Sequence, residues 1–302
     1  MSATHPLVTA LLPRCTFPPP GSEVECAVSG GADSTALLVL AAAAGLVVTA
    51  VHVDHGLRAG SEREAELVAR VAAEVGASFA ARSVVVPDGP NLEARAREAR
   101  YAVLAPDALT GHTLDDQAET VLLFLLRGTG PEGLAGMDPA RRPLLGLRRA
   151  DTVALCDALG LGVFDDPTND DPRFTRNRVR RELLPLMDDI AGRDVAPLLA
   201  RTARLQGDLL AAVAEAATAV DPTDALAVSS LPTAVASEAL RRWWRAGTGG
   251  HYAPDAAAVA RMLDVAAGRS VAADVVDGWR IARTDQRLRL EPPPADGRDQ
   301  QG

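Results

Sequence analysis

The stretch Val28-Ser29-Gly30-Gly31-Ala32-Asp33-Ser34-Thr35-Ala36 (V-S-G-G-A-D-S-T-A) decides the fold of this chain. Just before it, Val24-Glu25-Cys26-Ala27-Val28 patterns as a short strand, and residues 35–44 are an apolar run of good helix formers. Between them, residues 29–34 make a small glycine-bearing turn, so the order is strand, loop, helix. Gly30 and Gly31 let the backbone turn tightly and approach a ligand closely. The helix start near Ser34 offers unpaired N–H groups and the positive end of a dipole. Such a place suits a phosphate.

The turn is neither the P-loop, which needs Gly, four residues, then Gly-Lys-Ser/Thr, nor the Gly-x-Gly-x-x-Gly dinucleotide fingerprint. It resembles the Ser-Gly-Gly-x-Asp-Ser loop of the N-type ATP pyrophosphatases, which bind the pyrophosphate end of ATP and transfer AMP to a substrate oxygen. Asp33 can sit beside a phosphate only with a cation between the two charges, which implies Mg2+ held by Asp33. The plainer alternative is a glycine-rich βα turn with a helix N-cap at Asp33 or Ser34.

The chain has 302 residues, 47% of them apolar, with no charge blocks or repeats, so a folded protein of one large or two ordinary domains is expected. Its longest apolar stretch, residues 36–51, is 16 residues and contains Gly45 and Thr49, short of the ~20 that span a bilayer. It reads as a helix, a stop at Gly45 and a second strand. Residues 1–22 lack a charged start followed by an apolar block, and Pro18-Pro19-Pro20-Gly21 marks them as a flexible leader. A cytoplasmic protein without a membrane partner is expected. Cys15, Cys26 and Cys156 share no C-x-x-C spacing, which argues against zinc, an iron–sulfur site or a disulfide framework. All 31 basic residues are arginine, so cationic help must come from Arg, a helix end or a metal. The net charge of −9 argues against a protein coated in nucleic acid but permits a local basic patch.

Strands and helices alternate downstream. Residues 46–54 are a strand ending in His52-Val53-Asp54-His55-Gly56-Leu57-Arg58, at the carboxyl end where open α/β sheets take ligands. Residues 61–76 read as a helix capped by Ser61 with Glu64 in capping-box spacing. Residues 83–87 read as a third strand, 91–104 as an amphipathic helix and 108–111 as a short fourth strand. The pattern predicts an α/β fold: a doubly wound parallel sheet, Rossmann-like, with a helical linker and a small α+β C-terminal domain.

The fourth strand leads into His112-Thr113-Leu114-Asp115-Asp116-Gln117-Ala118-Glu119-Thr120, which opens a helix running to Leu126. Asp115, Asp116 and Glu119 fall on its first turns, where the dipole favours them, and Asp115 and Glu119 are four apart on one face. Such a cluster can bind a metal, steer an ammonium group or accept a proton; helix-capping acids on a solvated end are the alternative.

Together these segments resemble the tRNA(Ile)-lysidine synthetase family, whose fold is of the adenine nucleotide alpha hydrolase type, in a short form. The loop, the His52 cluster, residues 91–101 and residues 112–120 occur in family order, followed by Arg127-Gly128-Thr129-Gly130, Gly133-Leu134-Ala135-Gly136-Met137 and Arg142-Pro143-Leu144-Leu145. The likeness runs over residues 24–185. Asp166-Pro167-Thr168-Asn169-Asp170 and Arg176-Asn177-Arg178-Val179-Arg180 discriminate most, since other ATP pyrophosphatases share the first loop but not these. One departure is that only nine residues separate Tyr101 from Gly111, so the helix must end early, near Pro106. Either Arg97 or Arg100 is then the arginine that the resemblance sets beside the triphosphate, with Arg100 ranked first.

Residues 173–181 hold five arginines and no acid. In a helix, Arg173, Arg176 and Arg180 would share one face, spaced to follow a phosphate backbone, with Asn177 free to make directed hydrogen bonds. The alternative is a solvated helix end pairing with Asp165, Asp166, Asp170 and Asp171. Residues 198–220 read as a long Ala-rich helix, broken by Asp221-Pro222. Residues 221–291 form the small C-terminal domain, and residues 292–302 read as a disordered tail. Arg241-Arg242-Trp243-Trp244-Arg245 could stack on RNA, but tryptophans on a helix are more often core residues.

The resemblance implies ATP-dependent ligation of free L-lysine to C2 of the wobble cytidine in tRNA(Ile) with a CAU anticodon, through an adenylated cytidine. On that basis Ser29, Gly30, Gly31, Ala32, Asp33, Ser34, His52, Asp54 and His112 would bind ATP. Asp33, Asp115, Asp116 and Arg100 would serve catalysis. Arg173, Arg176, Asn177, Arg178, Arg180, Arg181, Arg242 and Arg245 would contact tRNA. A homodimer is left open. The rival readings are a 2-thiocytidine-type thiolating enzyme, which needs reactive cysteines or an iron–sulfur cluster, a nucleotide amidating synthetase, and a silent RNA-binding scaffold.

Overall fold

The computed structural model describes residues 5–54, 61–85, 92–164, 171–249 and 254–293. The side chains of Arg97 and Arg100 lie outside the described residues, as do His55 to Arg58, Asn91, residues 165–170 and the expected tail from 294 onward.

The first described element is a short helix, α1 (Pro6–Leu11), then come β1 (Glu23–Ala27) and α2 (Ala32–Ala43). Next come β2 (Val47–Asp54), α3 (Ser61–Val75), β3 (Ser78–Ser83) and α4 (Leu92–Val103). They are followed by β4 (Leu109–Thr110), α5 (Leu114–Leu126), α6 (Pro131–Leu134) and α7 (Arg149–Ala158). The four strands form one parallel sheet in the order β3-β2-β1-β4. This is the α/β architecture that the alternating pattern predicts. From β1 the chain builds outward to β2 and β3, then returns to place β4 on the other side of β1. That reversal opens a crevice at the carboxyl ends of β1 and β4, where α/β sheets bind ligands.

Helix α2 is apolar on nearly every face and therefore buried: Leu37, Leu38 and Leu40 have no exposed surface. Leu155 and Cys156 of α7 and Val8 and Leu11 of α1 join the same core. The expectation of a flexible leader is corrected at this point. Pro6 starts α1, the His5 side chain accepts from the Leu7 N–H, and Val8 and Leu11, three apart, are buried. Thr16 N–H donates to Pro143 O at 3.0 Å, tying the segment after α1 to the body of the unit.

The third strand also differs from its expected place at residues 83–87. Among the described residues the ladder ends where Asp54, the last residue of β2, pairs with Ser83, with Val84 N–H bonded to Asp54 O. Val84 and Val85, of the β-branched run that suggests the strand, lie past its end, with Val85 90% exposed, and residues 86–87 of the expected strand lie outside the described residues.

Beyond α7 come α8 (Thr175–Arg178), one π-helical turn (Val179–Leu183), α9 (Leu184–Ala191) and α10 (Ala196–Thr218). The chain divides into two compact units, Met1–Gln206 and Gly207–Gly302, inside α10 rather than at the Asp221-Pro222 break. The second unit contains α11 (Ala225–Ser230), α12 (Thr233–Thr248) and α13 (Ala256–Ala266). Its antiparallel sheet is β5 (Ala272–Asp274), β6 (Arg280–Thr284) and β7 (Arg287–Glu291). Leu240, Trp244, Met262 and Ile281 form its core, and Trp244 meets Trp279 edge-on with ring centroids 6.1 Å apart. Both tryptophans of the Trp-Trp-Arg cluster pack on this core, so they are core residues and not a base-stacking platform. No helix among the described residues is long and apolar enough to cross a membrane.

Candidate active site

The loop after β1 is built from within. Gly30 adopts φ +88°, a conformation that side-chain-bearing residues rarely take, and Gly31 caps α2. Ser29 N–H donates to Ser34 Oγ at 3.1 Å, and Ser34 Oγ donates to Gly31 O at 2.9 Å. The serine that ends the motif thus shapes the turn. His52 is buried, with its Nδ1 3.0 Å from Val28 O, so it braces the loop from β2. Asp54 is half-buried at the end of the same strand. Gly111 lies so close to the first turn of α2 that a Cβ there would stand 2.6 Å from Asp33 O. This contact brings the segment after β4 against Asp33.

The carboxylates of α5 are arranged differently from the sequence expectation. Asp115 and Glu119 do not act as a pair. Asp115 is held by Arg148, whose Nη2 donates at 2.8 Å, and by the backbone N–H of Arg149 at 2.7 Å. Asp116 and Glu119, three apart, share one set of arginines. Asp116 caps its own helix by accepting from Thr113 N–H at 2.9 Å, and it accepts from Arg149 at 2.9 Å and Arg176 at 3.0 Å. Glu119 is fully buried and accepts from Arg176 Nε at 2.7 Å and Arg180 Nε at 2.6 Å.

The arginine-rich segment is therefore split, a correction to the expected row facing RNA. Arg176 and Arg180 turn inward to Asp116 and Glu119, because two buried carboxylates demand cations. Asn177 is buried and donates to Asp171 O at 2.9 Å. Arg173, with its side chain 85% exposed, pairs with Asp171, and exposed Arg178 pairs with Glu182. Arg181 is exposed. In the second unit Arg242 and Arg245 are exposed, and Arg242 donates to Ala214 O at 3.1 Å.

Sequence reasoning passed over the first turn of α7. Arg149 Nε reaches Asp33 Oδ2 at 3.2 Å, and its Nη1 lies 3.5 Å from Glu119. The Thr152 hydroxyl donates to Asp33 Oδ1. A signal was available, since two consecutive arginines at a helix start oppose the dipole and call for nearby acids.

The two central aspartates are tuned apart. Burial raises the Asp33 carboxyl above its ordinary range and outweighs the lowering by Thr152 and Arg149. Burial acts upward on Asp116 too, but Arg149, Arg176 and His112 together hold it down at about 2. Asp115 also lies low, since Arg148 and the Arg149 backbone N–H overcome its burial. Acids with separated affinities for protons are typical of sites with divided roles. Cys15, Cys26 and Cys156 are free thiols that burial pushes up to about 12, far from the thiolate range of reactive cysteines.

A cavity of about 150 Å³ adjoins the cluster, lined by Asp115, Glu119, Arg148, Arg180, Asp188 and Asp194 among others. Among the described residues no three His, Cys, Asp or Glu groups converge to hold a metal. A magnesium ion at Asp33 would take one protein carboxylate and fill its shell with phosphate oxygens and water, a donor set usual for that ion.

Residues 9–187 match the family model of the PP-loop domain. The chain is 47% identical over 238 residues to tRNA(Ile)-lysidine synthase of Nocardia farcinica, covering 73% of this chain and 74% of that one. It is 45% identical over 241 residues to the Mycobacterium tuberculosis protein of the same name, with coverage of 73% and 74%. Among solved structures, the U34-tRNA thiolase NcsA from Methanococcus maripaludis matches at a TM-score of 0.51 and 16% identity, over 67% of this chain and 77% of that one, a likeness of fold. With a PP-loop built at the switch point of its sheet and such relatives over most of its length, the chain belongs to the tRNA(Ile)-lysidine synthase family.

Proposed function

We propose that this chain uses ATP to ligate free L-lysine to C2 of the wobble cytidine of a CAU-anticodon tRNA(Ile). The C2 oxygen is a poor leaving group, so it is first adenylated, with pyrophosphate departing. The lysine ε-amino nitrogen then attacks C2, and AMP leaves with that oxygen. The observation that carries this reading is the meeting of Asp33, on the first turn of the helix after β1, with Asp116 and Glu119, on the helix after β4, around one guanidinium. One side suits the pyrophosphate of ATP. The other supplies carboxylate oxygens that can accept from an ammonium group, and the cavity beside Asp115 and Glu119 offers it room. Mg2+ would be held at Asp33 and would neutralise phosphate charge. Ser29, Gly30, Gly31, Ala32 and Ser34 would cradle the phosphates, with His52 as brace and Asp54 and His112 at the rim. Arg100 keeps its proposed place beside the triphosphate. Acting on tRNA, the enzyme would work in the cytoplasm.

Radiolabelled lysine should enter a CAU-anticodon tRNA(Ile) transcript only when ATP is present, and labelled sulfur should not. Sulfur incorporation, or none of either label, would sink the reading. Buried Cys26 and Cys156 and half-buried Cys15, with their thiol pKa values raised, favour lysine over thiolation.

For tRNA contact the geometry favours the outward arginines. The Arg173 and Arg178 ion pairs are exposed, and such pairs are weak enough to exchange a carboxylate for a phosphate. Arg181, Arg242 and Arg245 are candidates on the same ground of exposure. Arg178→Ala should weaken tRNA binding and lower its salt slope by about one. Arg176→Ala should leave that slope unchanged, since its guanidinium faces Asp116 and Glu119. Filter binding across a salt series reads both, and a lower slope for Arg176→Ala would return it to the RNA face.

A further inference from the structure

Among the described residues, Asp116 and Glu119 have three arginines within reach and Asp33 has one. Arg149, Arg176 and Arg180 all lie within 4 Å of both α5 carboxylates. Among the described residues, the ion pair of Asp33 is with Arg149. The same guanidinium therefore ends one network and begins another. Its Nε edge meets the loop aspartate while its Nη groups meet the α5 pair.

We propose that Arg149 is a positioning residue for the nucleotide half of the site, fixing the direction in which Asp33 presents its carboxylate to ATP. The proposal rests on ATP being taken at the loop of residues 29–34.

Three features of α7 support this role. Arg149 is the first residue of the helix, and its backbone N–H is pinned to Asp115 at 2.7 Å, so the stem of the side chain starts from a fixed point. Thr152, one turn on, takes the other oxygen of Asp33, so a single helical turn holds both carboxylate oxygens. The placement also runs against local preference, because a cation at a helix start opposes the dipole. A residue kept there against the dipole is held by the acids it serves. The planar fork matters as much as the charge. Guanidinium donors diverge in one plane and can meet three carboxylates at once, whereas an ammonium group is a compact point charge.

The partner inventory predicts an asymmetric loss. Without Arg149, Asp116 and Glu119 keep Arg176 and Arg180, whereas among the described residues Asp33 keeps the Thr152 hydroxyl. Damage should therefore fall on the nucleotide and spare the amine.

The test uses the full chain with Arg149→Gln, Arg149→Lys and Thr152→Val. Calorimetry with a non-hydrolysable ATP analogue and magnesium measures nucleotide affinity. Single-turnover pyrophosphate release with tRNA measures adenylation, and the lysine KM measures the amine side. Arg149→Gln should weaken nucleotide binding about tenfold and slow pyrophosphate release by about a hundredfold. Its lysine KM should stay within about twofold, given the arginines that remain. Arg149→Lys should regain most of the affinity and little of the rate, because charge returns without the fork. Thr152→Val leaves the α5 pair untouched, should slow pyrophosphate release with an unchanged lysine KM, and keeps the test decisive if Arg149→Gln does not fold. Unchanged nucleotide affinity in Arg149→Gln, or a lysine KM that rises as far as the nucleotide constant, overturns the proposal. So does full recovery of rate in Arg149→Lys, which would show that charge alone suffices. The calorimetry needs neither tRNA nor lysine, so it decides the role of Arg149 even if the wild-type chain incorporates no lysine.

Discussion

Asp33→Ala is expected to lose ATP-dependent adenylation by about a thousandfold, while binding tRNA as the wild-type chain does. Asp33 lies on the first turn of α2, at the end of a loop whose glycines and serines form the phosphate-suited turn. Its carboxylate is half-buried against Arg149 and Thr152, and burial raises its pKa. A raised pKa means that the folded state disfavours the charge, so Asp33 is an expensive residue to keep for stability alone. Removing it leaves Arg149 paired to Asp116 at 2.9 Å and near Glu119 at 3.5 Å, so no guanidinium is stranded. The variant should therefore melt within a few degrees of the wild type, or above it, a common pattern when a functional charge is deleted. Pyrophosphate release, filter binding and thermal melting separate the three quantities. Normal adenylation together with lost tRNA binding would remove Asp33 from the nucleotide site.

Much of this site was legible in the sequence because its signals are local. The Gly30-Gly31 turn between an apolar strand and an apolar helix reports its own geometry, and the alternation that follows implies a parallel sheet. Strand β3 was misplaced for a physical reason. It lies at the sheet edge, its side chains are half-buried at best, and Val84 and Val85 just beyond it look more like a strand than Ser78 to Arg82 do. Its true limits come from the end of β2, a partner distant in sequence. The same distinction explains the arginines. Five in nine residues suggested a phosphate-facing row, yet the direction of Arg176 and Arg180 is set by Glu119, 57 and 61 residues away. Arg149 meets Asp33 across 116 residues and carries no motif. Charge type was readable, but whether each charge faces solvent or an interior partner depends on tertiary pairing.

That pairing gives meaning to an otherwise bland feature of composition, the absence of lysine. Asp33, Asp116 and Glu119 meet Arg149, Arg176 and Arg180, and Asp116 and Glu119 are each shared among all three guanidinium groups. Forked, permanently charged donors suit such sharing. The cluster is balanced as three acids and three bases, with the three guanidinium groups held chiefly by Asp116 and Glu119.

Glu119→Leu should be the most damaging single change to stability within this cluster. The side chain is fully buried and accepts from Arg176 at 2.7 Å and from Arg180 at 2.6 Å and 3.2 Å. Leucine fills similar space but leaves three guanidinium groups facing Asp116 and Asp33 alone. Breaking one side of a buried ion pair costs roughly 3–5 kcal/mol, since the partner charge is left uncompensated. For a unit of this size that lowers the melting temperature by on the order of 10 °C. Glu119→Gln keeps an acceptor oxygen and should lose less. The decisive arm is Arg180→Met placed on Glu119→Leu. If stranded charge is the cause, the second substitution removes one of the unpaired cations and the double variant is more stable than Glu119→Leu alone. Additive losses in that thermodynamic cycle would instead make Glu119 a packing residue whose charge is incidental, and the six-member balance would have to be abandoned.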